Sequence, residues 1–145
     1  FGAHGNDNYL VKDMDEAKKI VAEDESKKFV LQRFVPNDND YRVLVIGDET
    51  LVISRMASES SHLNNTSQGG SAELAQSETL PEWVLQASIK VSRHLDMTFA
   101  GVDVLADKNT GDFFFLEVNS QPQLMSGAFV DEKKKIVGRY LAGLN

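Results

Sequence analysis

Two short apolar runs, Phe99 to Leu105 and Phe113 to Val118, flank the turn-forming stretch Asp107-Lys108-Asn109-Thr110-Gly111, and this arrangement constrains the fold more than any other feature. A loop of that composition between β-rich runs predicts a hairpin. Alternate side chains of a strand leave opposite faces, so the pairing register decides which residues meet. If Ala106 pairs with Asp112, Asp103 pairs with Phe115 and Gly101 with Glu117. Asp103, Glu117 and Asn119 then share one face, while Val102, Val104, Phe114, Leu116 and Val118 share the other. A slip of one residue would separate Asp103 from Glu117 and mix polar groups into the apolar side.

The remaining elements extend this hairpin. Tyr9-Leu10-Val11 suits a short strand, and Asp13 reads as a helix N-cap with Glu16 completing a capping box. Met14, Ala17, Ile20 and Val21 carry the helical period to near Asp24. Phe29 to Val35, Tyr41 to Ile46 and Leu51 to Met56 are rich in β-branched and aromatic residues and predict an antiparallel group, with Gly47-Asp48-Glu49 as a tight connection. Ser58 to Ser71 lacks an apolar period and predicts a long loop, a type that is often functional. Pro81 opens a helix with a Val84, Ala87, Val91, Leu95 stripe, and Ile136, Val137, Tyr140, Leu141 and Leu144 mark a last helix. The expected class is α+β, an antiparallel sheet with helices packed on one face.

A length of 145 residues and a hydrophobic fraction of 41% suit one domain spanning 1–145. The absence of cysteine excludes disulfide scaffolds, thiolate metal sites and cysteine nucleophiles, and suits a cytoplasmic setting. A net charge of −7 argues against a nucleic-acid or anionic-membrane partner. No apolar run approaches a membrane span, and the first residues given lack the charged and apolar regions expected of a signal peptide. The chain opens at Phe1 inside a glycine-containing stretch, so a fragment of a longer protein is expected. His4, His62 and His94 have no close ligand spacing, which argues against a histidine zinc site.

Mg²⁺ takes oxygen ligands, commonly one or two carboxylates together with substrate phosphates. Asp103, Glu117 and the amide oxygen of Asn119 supply that chemistry; the same residues would equally serve as ordinary polar groups on a half-exposed strand. The wider pattern weighs on the first side. Gly101-Val102-Asp103-Val104-Leu105 followed by Leu116-Glu117-Val118-Asn119-Ser120-Gln121-Pro122 resembles the closing signature of the ATP-grasp ligases. Asp40-Tyr41-Arg42 with the strand to Gly47 is similar to the Asp-x-Arg strand of that family, and Asn65 to Gly70 resembles its Asn-x-x-x-Gly-Gly loop. Among these ligases the chain is most similar to the RimK-like group, which modifies a ribosomal protein tail, and to amino-acid-carrier ligases.

The resemblance implies the C-terminal part of an ATP-grasp domain and a role for each matched residue. Asp103, Glu117 and Asn119 would hold magnesium, two ions with Mn²⁺ as an alternative. Gln32, Arg33, Phe34 and Val35 would pass beside adenine, and the loop with Gly2 and Gly5 would cover the ATP phosphates. Arg42 and Arg55 would neutralise phosphate or acyl-phosphate charge, and Asn65, Gly69 and Gly70 would belong to a substrate loop. Two residues depart from the pattern: Asp7 replaces a usual glycine, and Leu63 stands where relatives often carry arginine.

The implied activity is ATP- and Mg-dependent carboxylate–amine ligation through an acyl phosphate. Its partners would be a small-molecule, peptide or protein-tail carboxylate, an amine donor, and upstream domains of the same polypeptide. An ATP-grasp small-molecule kinase and a non-catalytic binding module are the alternatives. The chain alone is expected to be inactive.

Overall fold

The computed structural model describes residues 9–23, 26–56, 71–76 and 79–144. Residues 1–35 and 36–145 form two compact units. In the first, helix α1 covers Met14–Glu23. Asp13 Oδ1 accepts from the amides of Asp15 and Glu16 at 3.0 and 2.9 Å, which is the expected N-cap. Glu16 closes the box one residue earlier than predicted, accepting the Lys12 amide at 2.8 Å. Tyr9 and Phe29 meet edge to face at 6.3 Å.

Neither Tyr9–Val11 nor Phe29–Val35 forms a strand, contrary to the sequence expectation. A strand exists only where a neighbour completes its ladder, and neither segment is part of the five-stranded sheet. Val30, Leu31 and Phe34 are correspondingly exposed.

The second unit is built on five strands: β1 Asn39–Ile46, β2 Glu49–Met56, β3 Ser71–Leu74, β4 Phe99–Ala106 and β5 Phe113–Asn119. They are antiparallel and ordered β3-β2-β1-β4-β5. Gly47-Asp48 is the whole connection between β1 and β2, with Gly47 at φ +61°, a conformation that glycine adopts without a Cβ penalty. β3 begins at Ser71, the last residue of the predicted loop, and was not expected as a strand from the sequence. It is short and exposed, and leaves no apolar alternation to detect.

Six residues, Asp107 to Asp112, connect β4 to β5 in a hairpin, one more than the five-residue loop predicted from the sequence. The Asp107 amide donates to the Asp112 carbonyl at 2.8 Å, and buried Asp107 accepts the Asn109 amide at 2.9 Å. Beyond it the observed register differs from the predicted one. Ala106 pairs with Phe113 and Val104 with Phe115, a bulge follows, and Asp103 pairs with Glu117. The extra residue is Leu116, 52% exposed. A bulge changes the side to which later residues point. Phe113 and Phe115 therefore join Val104 and Val118 on the core face, whereas Phe114 falls opposite Leu105.

Tyr41, Val43, Val45, Val52, Ala100, Val102 and Val104 form the core side of the sheet. Helix α2, Glu82–His94, covers it and sets Trp83 edge to face against Phe113 and Phe115. Pro81 stands at the N-cap rather than inside the first turn. The buried row of α2 is Val84, Ser88, Ile89 and Ser92, rotated from the predicted stripe, and Leu95 is exposed. The two serines donate to the carbonyls of Val84 and Ser88 at 2.8 Å, so they go under without an orphaned hydroxyl.

Leu44 and Ile46 are fully buried on the reverse face. Helix α3, Val130–Ala142, meets that face at its Ile46–Phe99 end, where Tyr140 packs edge to face on Phe99 at 5.4 Å. The sheet with its helices is the expected α+β class, with α2 and α3 divided between the two faces. Among the described residues no helix is long and apolar enough to cross a membrane.

Candidate functional site

Among the described residues, the reverse face of the sheet gathers Asp40, Arg42, Arg55, Asp103, Glu117 and Asn119. In-register pairing of β1, β2 and β4 aligns Asp40 with Arg55 and Leu105, and Arg42 with Ile53 and Asp103. β5 adds Glu117 opposite Asp103 and Asn119 opposite Gly101. The bulge thus brings the two carboxylate-bearing residues directly across from each other, one step closer than the unbulged register would.

Four of these side chains form a chain of alternating charge. Arg42 forks onto Asp103, Nε to Oδ1 and Nη2 to Oδ2, both at 2.8 Å. Arg55 bridges Asp40 at 2.5 Å and Asp103 at 3.2 Å. All four side chains are at most 18% exposed. Charge-assisted bidentate bonds of this kind are the strong ones, and burial protects them from screening.

The shared environment acts differently on the two acids. Burial pushes the Asp40 carboxyl up to about 6, against the opposing pull of Arg55. Burial also acts to raise Asp103, but its bonds to Arg42 and the charges of Arg55 and Arg42 outweigh it and hold that carboxyl below the usual range. The bond to Asp103 in turn raises Arg42 above the ordinary guanidinium value. Glu117 is exposed, and the Asn119 side-chain oxygen accepts the Gln121 amide at 2.8 Å.

As oxygen donors Asp103, Glu117 and Asn119 fit a magnesium ion in chemistry and in sharing one face. Both Asp103 oxygens already serve Arg42, so an ion would share this carboxylate with the guanidinium while Glu117 stands open to it. Among the described residues no cluster of three or more His, Cys, Asp and Glu makes a metal site by itself. The amide of Asn119 is needed to complete an oxygen set.

Gln32, Arg33, Phe34 and Val35 belong to the first unit, where they follow an irregular path and Phe34 is 51% exposed. Gly2 and Gly5, the departures Asp7 and Leu63, and Asn65, Gly69 and Gly70 lie outside the described residues.

Two residues beside the site were given no role from the sequence. Pro122 is buried and would touch a Cβ placed on Gly101 at 3.3 Å, with Arg42 Cδ and Nε at 3.6 Å from the same point. Lys133 is 3% exposed, and burial followed by the charge of Arg42 lowers its pKa. Lysine three and seven residues before Ile136 and Tyr140 lies on the apolar side of α3, the one sequence signal that marks it.

With the sheet and its Arg-clamped carboxylate described, comparison with known proteins gives the class to which the chain belongs. The RimK-like ATP-grasp domain pattern matches residues 1–138. The chain belongs to the RimK-like ATP-grasp family. It is 32% identical over 96 residues to the alpha-aminoadipate–LysW ligase LysX of Saccharolobus solfataricus, covering 66% of this chain and 34% of that protein. The chain thus spans about a third of the length of this curated relative.

Solved structures share the fold at low identity. The D-alanine–D-alanine ligase of Bacillus anthracis, complexed with ATP, superposes with TM-score 0.64 at 18% identity, over 90% of this chain and 45% of that one. A RiPP-associated ATP-grasp ligase of Chryseobacterium gregarium, in complex with ADP and a leader and core peptide, gives 0.55 at 12%, over 79% and 36%.

Proposed function

We propose that this chain is the C-terminal part of the ATP-grasp domain of a cytoplasmic ATP-dependent carboxylate–amine ligase. The observation that carries the reading is the pairing of Asp103 with Glu117 on one face, with Asn119 alongside and Arg42 forked onto Asp103. The family match and the relation to LysX support ligation as the chemistry. An amino-acid or peptide carboxylate is the proposed acceptor.

In this reading Asp103, Glu117 and Asn119 would hold magnesium, two ions, with manganese able to substitute. Bound magnesium would neutralise phosphate charge and draw electrons from the γ-phosphoryl group. The protein's own part is positioning and charge. Asp40 and Arg55 brace Asp103 from one side, leaving Arg42 as the fixed cation beside the acidic pair. Transfer of the γ-phosphoryl group to a carboxylate oxygen releases ADP and gives an acyl phosphate. An amine then attacks the carbonyl carbon, the C–O bond to phosphate breaks, inorganic phosphate departs with the bonding electron pair, and the nitrogen releases a proton to solvent to leave the amide. Arg42 can stabilise the negative charge that develops on the acyl-phosphate oxygens, and Arg55 adds positive potential from behind. Gln32, Arg33, Phe34 and Val35 are assigned to adenine, Gly2 and Gly5 to the phosphate loop, and Asn65, Gly69 and Gly70 to the substrate loop.

The test is phosphate release from ATP by the complete polypeptide, with glutamate or α-aminoadipate as acceptor and hydroxylamine as amine. Amine-dependent release and hydroxamate formation are expected, with Asp103→Ala and Glu117→Ala each reducing turnover at least ~100-fold. Amine-independent release of a stable phosphorylated product would instead identify a kinase. Turnover unchanged in both variants would remove the metal assignment.

A further inference from the structure

Lys133 places a charged group almost out of solvent beside the site. Its ammonium donates to the carbonyls of Gln123 and Ser126 at 3.1 and 2.9 Å. Those carbonyls belong to the connection between β5 and α3, directly after Glu117 and Asn119. The connection has little regular bonding of its own and three left-handed residues, Gln123, Gly127 and Phe129, at φ 54°, 71° and 59°. Two of these are not glycine, a conformation that persists only where its surroundings impose it. A Cβ on Gly127 would lie 3.9 Å from Lys133 Nζ and 3.6 Å from the Gln123 side-chain oxygen, so the ammonium sits inside the curl of the connection. The start of that curl, Pro122, rests over Gly101 next to Arg42.

We propose that Lys133 is a positioning residue: from α3 it pins the β5–α3 connection against Gly101, and so fixes the wall beside the Arg42 guanidinium. Where Arg42 handles an acyl phosphate, a point that rests on the ligase reading, that wall bounds the pocket of the activated carboxylate. A methionine at 133 keeps most of the apolar stem and loses the donors, whereas arginine keeps donors.

The test compares this chain with Lys133→Met and Lys133→Arg by NMR and amide exchange. In Lys133→Met the Ser126 amide should exchange at least ~10-fold faster and the Arg42 Nε–H resonance should move, while amides of 43–45 and 100–104 keep their protection. Lys133→Arg should restore both signals toward the original. Unchanged Ser126 exchange, or protection lost across the whole sheet together, would overturn the proposal. Acetyl phosphate then serves as the probe for the ligase reading. Displacement of the Arg42 signal in the unmodified chain, weakened at least ~5-fold by Lys133→Met, supports both. If acetyl phosphate leaves Arg42 unmoved while the exchange results hold, the acyl-phosphate role falls and the positioning role stands.

Discussion

Asp40 and Asp103 lie on neighbouring strands, each against an arginine, yet their protonation couples to stability with opposite signs. Asp40 is raised from 3.8 to about 6 in the folded chain, so the native state binds more protons than the unfolded one between those values. Its contribution is present below the lower value and is lost as pH rises through the upper. Asp103 is lowered, so its contribution is present above 3.8 and fades as pH falls toward its depressed value. Asp40→Asn should therefore lose less stability than the original chain from about pH 4 to 6, by up to ~3 kcal/mol at roughly 1.4 kcal/mol per unit. Urea midpoints across that range check it, and parallel curves would exclude the effect. Asp103→Asn removes the acid shared by two half-buried arginines and should cost ~3–5 kcal/mol in the same assay.

Elements fix the site through two details of backbone geometry. At the Gly47 turn an added Cβ would stand 2.4 Å from the Tyr140 ring, in a left-handed conformation as well. Gly47→Ala should destabilise by ~2–4 kcal/mol, and the Gly47→Ala/Tyr140→Ala pair should cost less than the sum of its single changes. Thermal unfolding of the cycle measures this coupling. At Leu116 the bulge inserts one residue without altering the pairing on either side. Deleting Leu116 should leave Asp103 opposite Glu117 and change stability by no more than ~1 kcal/mol, whereas deleting Val118 should send Asn119 to the core face. Cross-strand nuclear Overhauser contacts between 103 and 117 report the register.

These two details also mark how far the sequence could be read. Strands β1, β2, β4 and β5, the hairpin and the sharing of one face by Asp103, Glu117 and Asn119 follow from alternation and turn composition. The bulge did not, because alternation by itself favours an unbroken ladder, and Phe113 and Phe115 are as apolar as the Phe114 and Leu116 assigned to the core in their place. Ser88 and Ser92 were passed over because burial of a serine depends on its bond to the preceding turn. Lys133 begins a run of three lysines that reads as solvated until the connection folding over it is known. Phe29–Val35 has strand composition, but composition supplies no partner.

At the scale of the whole molecule, the ligase reading makes the acidic face only the metal-holding part of a nucleotide site. The chain alone should bind Mg-ATP weakly, with a Kd above ~1 μM by calorimetry; tighter binding would mean that these residues suffice for the nucleotide. The central claim concerns the metal face, and Mn²⁺ with ADP addresses it most directly through paramagnetic broadening in the NMR spectrum. The account predicts selective loss of the Asp103, Glu117 and Asn119 signals, sparing Val84 and Ile89 on α2, and predicts that Glu117→Gln reduces the effect at least ~10-fold. Broadening centred elsewhere, or unaltered by Glu117→Gln, would contradict it.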